Sequence, residues 1–147
     1  MGTFGYGIFD DDAAYDIMDS LQNTSSLAED IQKYLDVANA QDYLEYEEAY
    51  AVLVCAAVMD AVINDTEYRF DGFNSSAESE DSLEGEEQFH NWIALFNASE
   101  LEDLRISAVE ALQKVLTSSE LQELWAEGSE YDQWTSTVEG VVERLAE

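Results

Sequence analysis

The sequence predicts an all-α protein: a single compact domain over residues 1–147, with about seven helices packed around a central apolar helix at residues 45–63. Ala49 to Met59 contains no polar residue, and a helix apolar on all sides belongs in a domain centre when it is shorter than the roughly 20 residues that cross a bilayer. Elsewhere apolar residues recur at helical spacings of three and four. The chain has no proline, and no stretch shows the period-two alternation of a half-buried strand.

Two helices are predicted before the central one. The acidic run Asp10–Asp12 suits an N-cap and the positive end of a helix dipole, and Ile17 and Leu21 belong to the apolar stripe that follows. Ser26–Glu29 has the Ser-x-x-Glu spacing of a capping box. It predicts the start of a second helix with one apolar face, formed by Leu27, Ile31, Tyr34, Leu35 and Ala38.

An acidic insert is predicted at residues 64–88, directly after the central helix. It carries nine acids against one base, Arg69, and loses helical periodicity. Because its like charges repel one another, we expect its second half, residues 74–88, to be mobile. Helix is expected to return over residues 86–96, with inward-facing Phe89, Trp92, Ile93 and Phe96.

Two more capping boxes predict the C-terminal helices. Ser99–Glu102 opens a helix that runs to about Val115, and Ser119–Gln122 opens a short one. Gly128 is predicted to end the short helix in a left-handed conformation. The last helix carries one apolar stripe, formed by Tyr131, Trp134, Val138, Val141, Val142 and Leu145.

The charge balance is lopsided, with 34 acidic residues against five Lys and Arg and a net charge of −29. Such a surface repels phosphate backbones and anionic lipids and attracts basic proteins over long distances. We therefore expect no direct binding to nucleic acid or to membranes, and a basic protein as partner. Carboxylates standing in for phosphates would suit a nucleic-acid mimic or an inhibitor of a basic nuclease, whereas adaptation to high salt accounts for the same composition.

The densest acidic run is the candidate contact region for such a partner. A solvated flexible loop is the alternative interpretation of this run. Its carboxylates are Glu78, Glu80, Asp81, Glu84, Glu86 and Glu87.

No catalytic constellation is visible, and we expect a protein that is not an enzyme and holds no metal or cofactor. His90 is the only histidine. It completes a Glu-x-x-His motif with Glu87, but a di-iron centre needs two such motifs. Cys55, the only cysteine, lies inside the apolar run, where it is expected to behave as a small hydrophobe. The acidic run at Asp10–Asp16 lacks the ligand and glycine spacing of a calcium loop.

Asp60 interrupts the central apolar helix and raises a separate question. If it is buried, its carboxylate needs a partner, and Arg69 and Arg105 are the candidates. The alternative is an exposed final turn of the helix.

The N-terminal segment has no basic region followed by an apolar one, so it does not match a signal peptide. A single cysteine also allows no intramolecular disulfide. The expected location is the cytoplasm.

The two ends of the chain resemble one family. Met1–Phe9, reading MGTFGYGIF, and the acids that follow resemble the opening motif of the small bacterial proteins catalogued as domain of unknown function 4259. Phe4 stands where that family usually has Trp, and Asp11 where Asn is common. Ser119–Trp125, with Trp134 and Leu145, is similar to the family's terminal pattern. The resemblance covers most of the chain apart from the acidic insert.

The resemblance implies a helical domain without established activity or catalytic residues. Members near toxin systems suggest an immunity-like role for some, by analogy. With the charge, this predicts a non-enzymatic acidic binding protein that docks a basic partner such as a nuclease, a toxin or a nucleic-acid-binding enzyme. The alternative is an acidic housekeeping or salt-adapted domain without a dedicated partner.

Overall fold

A computed structural model of the chain describes residues 17, 20, 21, 26–64, 92–129 and 131–146. Within these ranges the chain forms six helices, and Ile17, Ser20 and Leu21 are helical as well. The only β pairing of the described residues is an isolated bridge between Leu44 and Ser119, which confirms the predicted all-α class. The helices are α1 Leu27–Asn39, α2 Tyr46–Asn64, α3 Ala98–Glu102, α4 Arg105–Thr117, α5 Glu120–Ala126 and α6 Tyr131–Ala146.

Helix α2 is the predicted central helix. It packs against each of the other five helices, and every residue from Ala49 to Ala61 is buried. This follows from the sequence, because a helix without a polar face is stable only when neighbours cover it on all sides. None of the helices in the described part of the chain is long and apolar enough to cross a membrane.

Helices α1 and α6 are amphipathic and lie against the centre. The buried residues of α1 are the predicted Leu27, Ile31, Leu35 and Ala38. Those of α6 are Trp134, Val138, Val141 and Leu145. Their spacing of three and four places them on one face, which packs on α2 and α4.

The predicted single helix from Ser99 to Val115 is wrong, because two helices occupy it. Asn97, rather than Ser99, is the N-cap of α3, and its backbone N–H donates to Glu100 Oε1 at 3.4 Å. The chain then turns at Asp103 and Leu104 before α4 begins. The break has a packing reason, since α3 lies mainly on α2, whereas α4 also contacts α1 and α6.

The junction between α4 and α5 is held by Ser119, which is buried. As predicted, Ser119 caps α5, and its hydroxyl accepts from the backbone N–H of Gln122 at 3.0 Å. The hydroxyl also donates to the carbonyl of Val115 at 2.6 Å. The Gln122 side-chain amide nitrogen donates to the Tyr131 hydroxyl at 3.2 Å. The loop before α2 is tied to this junction, since Leu44 N–H donates to Ser118 O at 2.9 Å.

Gly128 follows α5 as predicted, but its predicted left-handed conformation is wrong. Helix α5 ends at Ala126, and Glu127 keeps a right-handed helical backbone. The backbone N–H of Gly128 donates to Trp125 O at 3.0 Å. The last turn is therefore tightened by bonds that span three residues, which satisfy the terminal carbonyls without a left-handed residue.

The predicted helix over 86–96 is described only from Trp92 onward. Ile93 is buried, and Trp92 and Phe96 are half-buried against the core, with their rings edge to face at 5.5 Å. The helical segment ends at Ile93 rather than at Phe96. The acidic insert from residue 65 onward and the opening motif lie outside the described residues.

Candidate interaction surface

Asp60 is fully buried in α2, which excludes the alternative of an exposed final turn. Arg144 of α6 donates through Nε to Asp60 Oδ2 at 2.8 Å, and Asn64 donates to Asp60 Oδ1 at 2.9 Å. The partner found in the described residues is thus Arg144, which the sequence analysis did not name. Arg69 lies outside those residues.

Arg105, the other predicted partner of Asp60, has a different role. Its Nε donates to the backbone carbonyl of Leu145, near the C-terminus of α6, at 2.7 Å. A cation at this end of a helix also interacts favourably with the helix dipole. The bond joins the first residue of α4 to the last turn of α6.

Lys114 caps a second helix C-terminus. Its ammonium group donates to the carbonyls of Asn39 at 2.8 Å and Gln41 at 2.5 Å, with a longer bond to Ala38 at 3.4 Å. These carbonyls lie at and beyond the end of α1, where a helix leaves its last acceptors without internal donors. All three donors of the ammonium group are thereby directed at backbone.

Of the four described cations, Arg105, Lys114 and Arg144 bind groups of neighbouring helices. Where both partners are described, the ion pairs are Arg144 with Asp60 and Arg105 with Glu102, the second at 3.9 Å. Lys33 is the remaining described cation and is exposed. Every described carboxylate except that of Asp60 is exposed or half-buried, so the exterior carries the excess negative charge.

One acidic cluster surrounds an exposed aromatic ring. Tyr43, which is 44% exposed, precedes α2 and lies beside acids of α2's start and of α5. Partial desolvation, followed by the charge of Glu123 and a hydrogen bond to it, and by the charges of Glu120 and Glu45, raises the pKa of Tyr43 above its ordinary value of 10.0. Glu120 also accepts from the backbone N–H of Tyr46 at 3.1 Å, so it caps α2 from another helix.

An open groove of about 410 Å³ lies where α4 begins and α6 ends. Its apolar surface comes from Ile106 and Val109 of α4 and from Leu145 and Ala146 of α6, and its polar lining from Glu102, Arg105 and Glu110. Ile106 is 76% exposed. We call this feature the Ile106 groove.

Sequence reasoning missed both Tyr43 and Ile106, although the signal for Ile106 was visible. Ile106 is off the apolar stripe that continues through Ala108 and Leu112, so no core position explains it. It also stands four residues from a glutamate on each side, Glu102 and Glu110. Of these two acids, only Glu110 shares a helix with Ile106, because Glu102 is the last residue of α3.

Cys55 lies in the core, at the position that the sequence predicts. It is fully buried in α2, and burial, with a smaller contribution from the charge of Asp30, raises the pKa of its thiol. A thiol that stays protonated is neither a nucleophile nor a metal ligand at neutral pH. Among the described residues, no three His, Cys, Asp or Glu side chains converge as a metal site would require.

The predicted partner-binding carboxylates cannot be placed in this surface. Glu78, Glu80, Asp81, Glu84, Glu86, Glu87 and the histidine His90 lie outside the described residues. Their role therefore stays a prediction.

The fold and this surface define a small all-α domain with an acidic exterior. The family model described as Domain of unknown function (DUF4259) matches residues 2–137, and the chain belongs to this family. In comparisons with curated proteins and with solved structures, nothing matches the chain.

Proposed function

We propose that this chain is a non-enzymatic acidic binding protein that docks a basic protein partner, as an immunity-like inhibitor does. The observation that supports the proposal is the position of the cations. Arg105, Lys114 and Arg144 bind backbone carbonyls and one buried carboxylate. Among the ion pairs whose two partners are described, only that of Arg105 with Glu102, at 3.9 Å, involves an exposed carboxylate.

An exterior of this kind acts on a partner before contact. A net charge of −29 produces a field that raises the rate of encounter with a basic protein and repels an acidic one. The partner class is accordingly a basic protein, such as a nuclease, a toxin or a nucleic-acid-binding enzyme. In the nucleic-acid-mimic version of the proposal, carboxylates occupy the places where that enzyme binds phosphates. The proposed location is the cytoplasm.

The distribution of the acids supports a second candidate function. Each of the six described helices carries at least one exposed acid, from Glu29 on α1 to Glu143 on α6. A charge spread over all faces is also what a housekeeping or salt-adapted domain without a dedicated partner presents. The two candidate functions differ in one expectation. A binding protein needs the carboxylates of one region to hold its partner, whereas a salt-adapted domain depends on no particular region.

A capture experiment with two charge-matched variants separates them. One variant replaces Glu78, Glu80, Asp81, Glu84, Glu86 and Glu87 by the corresponding amides. The control replaces the same number and type of exposed acids on the described helices, namely Glu29, Asp36, Glu47, Glu127, Glu139 and Glu143. Both variants have the same net charge, so only the position of the lost carboxylates differs.

Each tagged protein is incubated with lysate of the native cell, washed across a salt series and analysed by mass spectrometry. We expect one basic protein to be retained in stoichiometric amount at physiological ionic strength, where the screening length is about 8 Å. The control variant should retain it and the first variant should lose it. Many basic proteins released together by salt, equally from both variants, would refute the proposal and favour the salt-adapted domain.

A further inference from the structure

The Ile106 groove combines two features that seldom coincide on a surface. Its centre is apolar, with Ile106 76% exposed and Val109 half-buried beside it. Its rim is acidic, because Glu102, the last residue of α3, and Glu110, one helical turn after Ile106 on α4, both line it. An isoleucine this exposed contributes little to folding but becomes favourable once a partner covers it.

The cation in the groove, Arg105, neutralises the acidic rim only in part. Arg105 is held by the carbonyl of Leu145 at 2.7 Å, and its nearest approach to Glu102 is 3.9 Å. The Glu102 side chain remains 52% exposed, and Glu110 is exposed. The end of α6 adds the negative pole of its helix dipole to the same region.

Charge complementarity decides which occupant fits. A second copy of this chain would bring another net charge of −29 against the same rim, which disfavours self-association. A helix with an apolar residue flanked by Lys or Arg residues matches both features. Its apolar side chain would lie on Ile106 and Val109, and its cations would reach Glu102 and Glu110.

We propose that the Ile106 groove is the docking site for a basic amphipathic helix of the protein partner. The inference rests on the proposed function and specifies the partner's contact element. It assigns Ile106 the central apolar contact, and Glu102 and Glu110 the charge that orients the helix.

The test measures binding of two synthetic helical peptides by fluorescence anisotropy. The first is an amphipathic leucine–lysine peptide, and the second has the same lysines but glutamine in place of leucine. We expect Ile106→Ser to weaken binding of the first peptide about tenfold, the effect of leaving one large apolar contact uncovered. Binding of the glutamine–lysine peptide, which depends on charge alone, should be unchanged.

Leu95→Ser is the matched control, because Leu95 is 77% exposed and has no acid four residues away on either side. This variant should bind both peptides as the unaltered protein does, whereas Glu102→Gln with Glu110→Gln should weaken both complexes. All variants change exposed side chains, and their folding is checked by thermal melts.

Two outcomes would overturn the inference. One is a peptide result that does not single out Ile106. Either Ile106→Ser binds the leucine–lysine peptide as tightly as the unaltered protein does, or Leu95→Ser weakens that binding as much as Ile106→Ser does. The other is a dimer, seen by sedimentation, that Ile106→Ser abolishes, because the groove would then be a contact between copies. Failure of the proposed function can be told apart from failure of this inference. If only the proposed function is wrong, the lysate capture finds no specific basic partner, while the peptides still bind as expected.

Discussion

At the scale of single residues, Asp60 is the fully buried carboxylate among the described residues. A carboxylate moved from water into a protein interior is stable only with close, well-oriented partners. Arg144 reaches it from the edge of the domain, with 40% of its side chain exposed. Its guanidinium passes close to Gly140, where an added Cβ would lie 3.3 Å from Arg144 Nη1. Gly140, one turn before Arg144, therefore leaves room for the Arg144 side chain to reach Asp60.

Removal of Arg144 is predicted to cost more stability than removal of the Asp60 charge. Arg144→Met removes one partner of a fully buried carboxylate, and we expect a loss near the lower end of the roughly 3–5 kcal/mol for a broken buried pair. Asp60→Asn should cost less, because the half-exposed guanidinium can turn to water. Urea unfolding of both single variants and the double variant measures this.

The double variant tests whether the pair acts as a unit. Its loss of unfolding free energy should be smaller than the two single losses added together, since the second substitution finds the pair already broken. Strict additivity, or a larger loss for Asp60→Asn, would show that the described ion pair does not set the stability of this site.

At the scale of elements, helix ends account for much of the internal polar chemistry. Lys114 supplies the donors for the end of α1, and Arg105 supplies one near the end of α6. Glu120 of α5 accepts from the start of α2 at 3.1 Å. Neighbouring helices thus satisfy the terminal groups that no helix can satisfy alone.

Replacement of the Lys114 cap should destabilise the protein measurably. Lys114→Met keeps most of the side-chain volume but leaves carbonyls at the end of α1 without a donor, at a cost of about 1–3 kcal/mol. Lys33→Met on the exposed face of α1 removes the same charge and should stay within roughly 0.5 kcal/mol. Thermal and urea unfolding compare the two, and equal losses would mean that charge rather than capping matters.

Capping shows how far local sequence predicts these elements. Ser119 caps α5 through its hydroxyl as its Ser-x-x-Gln spacing predicts, because a cap involves residues only three apart. Ser26 is the N-cap of α1 as predicted, but its side chain makes no cap hydrogen bond, so the predicted capping box is not formed there. The N-cap of α3 is Asn97 rather than the predicted Ser99, and the backbone of Gly128 is not in the predicted left-handed conformation. In both cases an alternative local geometry satisfied the backbone groups at the helix end.

At the scale of the whole molecule, net charge opposes compactness. The chain has a net charge of −29 on 147 residues, so its acidic side chains repel one another in the folded state, and salt screens that repulsion. Of the four described cations, Arg105, Lys114 and Arg144 are held by groups of neighbouring helices, and Lys33 is exposed.

Stability should therefore rise with ionic strength. Between about 0.01 M and 0.15 M NaCl the screening length falls from about 30 Å to about 8 Å, and each kcal/mol gained raises Tm by roughly 2–4 °C. Calorimetry should show a rise of a few degrees that levels off once repulsion is screened. The six-acid control variant should show a smaller rise. A Tm that continues to climb into molar salt would favour the salt-adapted domain over the proposed binding function.

The sequence by itself determined the helical class, the central helix and the amphipathic faces of α1 and α6. Each depends on a pattern within one short stretch, and the physical cause is the burial of an apolar face. It also determined the charge, and hence the partner class that we propose.

Only the tertiary structure decided which side chains meet. Asp60 and Arg144 are 84 positions apart, and Lys114 and Asn39 are 75 apart, so no local pattern connects them. The exposure of Ile106 was likewise decided by how α4 lies against α6. Residues distant in sequence become neighbours only when helices pack, because packing alone brings their surfaces into contact.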